Sequence, residues 1–208
     1  MRRITEIGAY KGSTLRIDFE EGEPEFINRD VAAECGLRKG LELTDDAWEK
    51  VIYKNDFRRA KERALYLLDV KDHSYVMLFK RLEENYPEQI CYDVCDRLAE
   101  LGLINDRRFA SLCARHYMEI KKFGRFRAVQ EMRLKGLPQS LIDEALEPYD
   151  DSDSTKERIK ELIAKKYIRR LEDEDGVKKV KNALVRQGYS YSDINAAMDE
   201  FLEELEDE

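Results

Sequence analysis

The chain has 208 residues, 39% of them charged and 42% hydrophobic, with a formal net charge of −8 and an isoelectric point near 5.1. This much charge on a chain that can still build a core argues against disorder and suits slim helical modules with a large surface. The acidic balance argues against a simple nucleic-acid-coating protein, and no run of apolar residues is long enough for a membrane-spanning helix.

Residues 1–56 read as a small α+β module. Ile4 to Ala9 forms a first strand. Leu15, Ile17 and Phe19 then alternate with Arg16, Asp18 and Glu20, a period of two that marks a half-buried second strand. Tyr10-Lys11-Gly12-Ser13 between them predicts a β-hairpin. A short third strand is expected around Glu25 to Ile27, after Gly22-Glu23-Pro24. Asn28 can cap a short helix that stops at Gly36, where a residue without Cβ takes positive φ. Thr44 starts another helix, and Asp45 and Asp46 complement the positive end of its dipole.

From Phe57 onward the pattern is helical, and it repeats. Cys91, Val94, Cys95 and Leu98 sit at i, i+3, i+4 and i+7; Ile142, Ala145, Leu146 and Tyr149 follow 51 residues later, and Ile194, Ala197, Met198 and Phe201 after another 52. Middle helices align through Leu78, Ala128 and Val180, then Leu82, Met132 and Leu184. Opening helices carry Ala60, Ala64, Leu67 and Leu68; then Phe109, Leu112, Cys113 and His116 or Tyr117; then Ile159, Leu162, Ile163 and Tyr167. Gly124 and Gly176 break the opening helices of the second and third units. The prediction is a mainly α fold of three tandem three-helix repeats, over 57–104, 105–150 and 154–206, forming an elongated array after the α+β module. Such arrays present surface to large partners, so a binding protein is expected.

Local signals support these units. Pro87 and Pro138 fall in equivalent first-turn positions, where a missing N–H costs nothing, and Ser190 takes that place in the third repeat with Asp193 able to complete a capping box. The acidic stretch Glu147 to Ser154 reads as a short hinge. The acids from Asp193 to Glu208 read as a solvated face and a frayed end.

Catalytic constellations are missing: there is no G-x-x-x-x-G-K-[ST], no G-x-G-x-x-G after a strand, no G-x-S-x-G and no H-E-x-x-H. No enzyme is expected, and no catalytic, cofactor or metal residue is assigned. The four cysteines contain no CxxC pair, His73 and His116 offer no partner set, and Cys91 and Cys95 lie on the core stripe, so buried thiols are expected. Met1 to Glu6 has the opening charges of a secretory signal without its apolar middle, which points to the reducing cytoplasm.

The bases are segregated. Between Asn105 and Leu137 nine bases face three acids, a local charge of +6: Arg107, Arg108, Arg115, Lys121, Lys122, Arg125, Arg127, Arg133 and Lys135. From Lys156 to Gly188 eleven bases face six acids, with Lys165, Lys166, Arg169, Arg170, Lys178, Lys179 and Lys181 in the densest runs. These residues are the candidate face for phosphates or for an acidic protein groove. The alternative is the solubilising surface of ordinary helices. Phe123 and Phe126, beside Gly124, are the candidates for base stacking.

Leu101-Gly102-Leu103-Ile104-Asn105-Asp106-Arg107-Arg108-Phe109-Ala110 resembles the signature of RecX proteins, a stretch of Leu-Gly, two hydrophobic residues, Asn/Asp-Asp and then Phe-Ala that joins one unit to the next. Gly124 followed by Glu131-Met132-Arg133-Leu134-Lys135-Gly136-Leu137 is similar to that family's second-unit pattern, and Arg63 to Leu68 with Ser74 is similar to its first. The resemblance covers about Ala60 to Leu205. The chain departs from the pattern at Asp72-His73-Ser74, where the family carries bases, and at Met77-Leu78, where it carries an acid before the leucine.

The resemblance implies a curved helical arm that acts as a non-enzymatic negative regulator of the RecA recombinase in recombination, DNA repair and the SOS response. Such an arm lies along the RecA filament on single-stranded DNA and hinders its ATP hydrolysis, strand exchange and co-protease activity. The implied partner is that filament, with direct DNA contact in addition, no membrane and a monomeric chain. The competing expectation from charge alone is a stand-alone DNA-binding helical module using the basic face of repeats two and three.

Overall fold

A computed structural model describes residues 1–171 and 173–206; Glu172, Asp207 and Glu208, counted among the acids above, lie outside the described residues. Packing divides the chain into two compact units. The first joins Met1–Lys71 to Leu78–Leu103, and the second joins Asp72–Met77 to the chain from Ile104 onward.

The first unit begins with an antiparallel sheet in the order β3-β2-β1-β4, made of β1 (Arg2–Lys11), β2 (Thr14–Phe19), β3 (Glu25–Asn28) and β4 (Glu42–Leu43). The hairpin closes where Lys11 pairs with Thr14, and Gly12 takes φ +54°, which an L side chain rarely adopts. Ile4, Ile17 and Ile27 bury their side chains against Val31 and Ala32 of α1 (Arg29–Glu34) and Trp48 and Val51 of α2 (Asp45–Val70). The Asn28 side chain caps α1 by accepting from Asp30 N at 2.9 Å, and Thr44 Oγ1 caps α2 by accepting from Ala47 N at 3.2 Å. The β4 strand was not legible in the sequence: two residues are too few to show a period.

Helix α2 runs unbroken through position 56, the expected edge of the α+β module. One helix thus serves both structures, with Trp48 and Val51 in the sheet's core and Ala60 and Ala64 buried further along. Helices α3 (Tyr75–Glu83) and α4 (Glu88–Glu100) complete the first three-helix set, and Leu78, Leu82, Cys91, Val94, Cys95 and Leu98 are fully buried. Pro87 stands one position earlier than expected, at the N-cap of α4, and Pro138 does the same for α7.

The second unit holds two further sets. One comprises α5 (Asp106–Arg115), continued by a π-helical turn at His116–Ile120, α6 (Arg125–Leu134) and α7 (Gln139–Leu146). The other comprises α8 (Ser152–Leu162), a π-helical turn at Ile163–Tyr167, α9 (Ile168–Leu171), α10 (Gly176–Arg186) and α11 (Tyr191–Glu206). Phe109, Cys113, Tyr117, Ala128, Met132, Ile142 and Leu146 build the first core; Ile159, Leu162, Ile163, Val180, Leu184, Ile194, Ala197, Met198 and Phe201 build the second. Of the two candidates at the end of α5, Tyr117 is buried and His116 exposed.

Several expectations are corrected here. Leu112 is 45% exposed, because Ala110, Cys113 and Ala114 occupy the inward face of α5. Helix α7 ends at Leu146, and Tyr149 lies in a short 3₁₀ turn at Glu147–Tyr149 containing Pro148, where it still packs on the same core. The acidic stretch after it is not a hinge. Asp151 caps α8 by accepting from Ser154 N at 2.7 Å, and the repeats it joins belong to one compact unit. The acidic helix α11 is not simply solvated either: Glu200 pairs with Lys156 at 2.8 Å, and Glu204 with Lys160 at 2.9 Å.

The two repeats of this unit meet backbone to backbone. Gly124 N donates to Gln187 O at 2.9 Å, Phe126 N to Gly188 O at 3.1 Å, and the Tyr189 hydroxyl to Lys122 O at 3.0 Å. Ser74 makes a comparable contact elsewhere in the same unit: its hydroxyl donates to Lys135 O and accepts from Met77 N. Gly136, at φ +75°, leaves no room for a Cβ beside Val76. Ser74 and Gly124 are therefore equivalent joints, each seated against the residue before a left-handed glycine.

Candidate functional site

The candidate bases lie on helices and loops of the second unit, and the structure sorts them by partner. Seven are engaged by carboxylates. Arg107 pairs with Glu144 at 3.3 Å, Arg108 with Asp72 at 3.0 Å, Arg115 with Glu119 at 3.2 Å and Lys122 with Glu161 at 3.4 Å. Arg127 reaches Glu131 at 3.7 Å, Lys165 pairs with Glu161, and Arg125 is held between Asp143 and Asp150.

Five more have polar or aromatic company. Arg133 donates to Gln139 Oε1 at 2.8 Å, Lys179 to Glu174 O at 2.8 Å and Lys181 to Asn195 Oδ1 at 2.8 Å. Lys135 lies 5.9 Å from the ring centre of Phe109, and Arg170 lies 5.7 Å from that of Tyr167. The side chains of Lys121, Lys166, Arg169 and Lys178 have no ion pair or hydrogen-bond partner among the described residues. Two of these stand in loops or first turns (Lys121 just before α6, Lys178 in the first turn of α10), and two on the α8–α9 stretch.

The aromatic candidates divide as well. Phe126 is 64% exposed and presents a free ring. Phe123 is not a stacking platform. One ring contact is the parallel Tyr117 ring, with centroids 5.8 Å apart and planes at 11°, and the Arg127 guanidinium lies 4.0 Å from its centroid. Burial raises the Tyr117 hydroxyl to about 12, so it stays neutral in this stack.

Three of the four cysteines, Cys91, Cys95 and Cys113, are buried, and Cys35 is half-buried. Cys91 and Cys95 sit fully buried on α4, burial pushes the Cys95 thiol up to about 12, and Cys91 Sγ faces Tyr86 O at 3.6 Å. Among the described residues no helix is long and apolar enough to cross a membrane.

The model of the RecX second three-helix domain matches residues 105–146, which is α5 through α7. The regulatory protein RecX of Bacillus subtilis is 29% identical over 95% of this chain and 76% of its own length, and that of Clostridioides difficile is 27% identical over 96% of this chain and 95% of its own. A crystal structure of regulatory protein RecX superposes with a TM-score of 0.71 at 25% identity, covering 96% of this chain and all of that one. Along nearly its whole length the chain is similar to RecX proteins. A RecX structure from Lactobacillus salivarius shares the fold at 22% identity, with a TM-score of 0.65 over 71% of this chain and 97% of that one. The RecX junction signature acquires a physical meaning here. Asn105 Oδ1 caps α5 by accepting from Arg108 N at 2.9 Å, and Asp106 accepts from Tyr75 N at 2.8 Å.

Sequence reasoning missed Arg158 and Asn55. Arg158 looks like one base among many until its neighbours are seen to lack a free acid. Asn55 sits mid-helix with no periodic signal, yet its Oδ1 accepts from Asn28 N at 2.8 Å and ties α2 to the sheet.

Proposed function

We propose that this RecX-like protein is a negative regulator of the RecA recombinase. It lies along the RecA filament on single-stranded DNA and hinders ATP hydrolysis, strand exchange and co-protease activity. The observation that carries this reading is the mixed surface of the second unit, where paired and unpaired bases alternate with acids along three-helix repeats. A bare DNA backbone is repelled by those acids, whereas a protein groove with phosphates nearby can engage both signs. The chain acts by binding, as a monomer in the cytoplasm.

The deciding experiment mixes the protein with RecA, single-stranded DNA and ATP. Hydrolysis should slow at substoichiometric amounts, and unchanged hydrolysis at excess protein would sink the proposal. The second reading, a stand-alone DNA-binding module, is favoured by Lys121, Lys166, Arg169 and Lys178, whose side chains have no internal partner among the described residues. Four phosphate contacts give a slope of log K against log salt of about −3 on single strands. An oligonucleotide titration with tight binding at physiological salt and that slope would support it over the filament.

A further inference from the structure

Where the two repeats of the second unit meet, the structure forms an open cavity of about 280 Å³, lined by Arg125, Phe126, Asp150, Ser152, Arg158 and Asp193 among others. Three helices begin at its walls: α6 after Gly124, α8 after Asp151 and α11 after Ser190. Their positive ends converge there. The carboxylates on the lining are already engaged. Asp150 accepts from Arg125, and Asp193 accepts from the Ser190 hydroxyl at 2.6 Å.

Arg158 has no such match. Its Nη2 donates to Thr155 Oγ1 at 2.8 Å and to Tyr149 O at 3.3 Å, and none of the described carboxylates reaches it. Its Nε is buried without a hydrogen-bond partner. A half-buried guanidinium with an orphan donor and no carboxylate bonded to it among the described residues is costly to leave so, and an oxyanion completes it. Phe126 stands at the same cavity, with its ring exposed and its backbone fixed by the bond to Gly188 O.

An oxyanion site beside an exposed aromatic ring is what one nucleotide of a single strand requires, with phosphate on the cation and base on the ring. We infer that this cavity is a nucleotide subsite, holding a phosphate on Arg158 while the attached base stacks on Phe126. Single-stranded nucleic acid as the source rests on the filament reading above; free phosphate is the other source of the same chemistry.

The test uses the full chain without recombinase. Binding of labelled oligo(dT) at low salt is followed by fluorescence anisotropy, and inorganic phosphate is titrated while the arginine side-chain NMR signals are recorded. Arg158→Gln removes the charge while keeping a polar amide on a shorter side chain; Phe126→Ala alters an exposed ring. Each should weaken oligonucleotide binding about tenfold, as loss of one stacked base or one charged phosphate contact does. Phosphate should shift the Arg158 Nε signal in the wild type and in Phe126→Ala.

Unaltered oligonucleotide affinity in both variants overturns the inference, as does an absence of oligonucleotide binding by the wild type. A phosphate response with wild-type affinity in Phe126→Ala leaves a bare phosphate site and refutes the nucleotide subsite. Hydrolysis by RecA that is insensitive to a protein with an intact subsite sinks the filament reading alone.

Discussion

Gly124 lies so close to Gly188 that a Cβ built on it would meet the Gly188 carbonyl carbon and oxygen at 2.2 Å. The backbone at Gly124 is ordinary, so the glycine is required by contact and not by conformation. Gly124→Ala should therefore overpack the joint and cost about 1–3 kcal/mol. For a chain of this size that lowers the thermal midpoint by about 3–10 °C. Gly8→Ala, where nothing lies within 4 Å, is the control. Equal midpoints for the two variants in a circular-dichroism melt would show that the joint tolerates a methyl group.

That joint also shows what a sequence can and cannot disclose. The buried stripes were readable because each lies within one helix and recurs: Leu78, Ala128 and Val180 are all fully buried. Asn28, Thr44 and Asn105 were readable as caps because capping is local. The Gly124 to Gly188 contact spans 64 positions and leaves only two glycines as its trace. The acidic stretch after Leu146 looked like a hinge by composition, because nothing local reveals that Asp150 is the partner of Arg125. Charge sorting was illegible for the same reason: Arg108 pairs with Asp72, 36 positions away. Phe123 and Phe126 are near neighbours with opposite fates, one packed under Arg127 and the other exposed.

The thiols should react in two classes. Burial raises Cys91 and Cys113 and pushes Cys95 up to about 12, while Cys35 is only half-buried. Thiolate is the reactive form, so one thiol should label quickly at mildly alkaline pH and three only as the fold opens. A colorimetric thiol reagent with and without denaturant counts them. More than one fast thiol in the native protein would contradict the packing of α4 and α5.

Acid should loosen the second unit. The hydrogen bond from Lys156 holds the Glu200 carboxyl below its usual range, those from Lys165 and Lys122 do so for Glu161, and that from the Tyr149 hydroxyl for Glu119. A lowered folded value stabilises above the unfolded carboxylate value near pH 4.3 and is lost as pH falls through the folded values. Lys156 and Lys160 are raised, so their titration lies far above this window. The thermal midpoint should thus fall below about pH 4.3, and less steeply in Glu200→Gln. These groups are exposed and screened, so the effect is small per residue. An equally steep fall in the variant would remove Glu200 from the account.

The filament reading makes its sharpest demand on the four bases whose side chains have no internal partner among the described residues. A base already paired at the surface gives up a bond worth about 0–1 kcal/mol when it turns to a new partner, and an unpaired base gives up nothing. Lys121, Lys166, Arg169 and Lys178 should therefore carry more of the binding than an equal number of paired bases. Reversing all four to Glu should raise the concentration for half-inhibition of RecA ATP hydrolysis by at least about tenfold, since each charge-assisted contact is worth about 1.5–3 kcal/mol. Replacing Arg107, Arg115, Arg127 and Lys165 with Gln should have a smaller effect, because those charges are offset by Glu144, Glu119, Glu131 and Glu161. Far-UV circular dichroism checks that both variants keep their helices. Were the paired set to matter as much as the unpaired set, the contacting face would have to be drawn through α5 and α6 instead, with its ion pairs broken on docking.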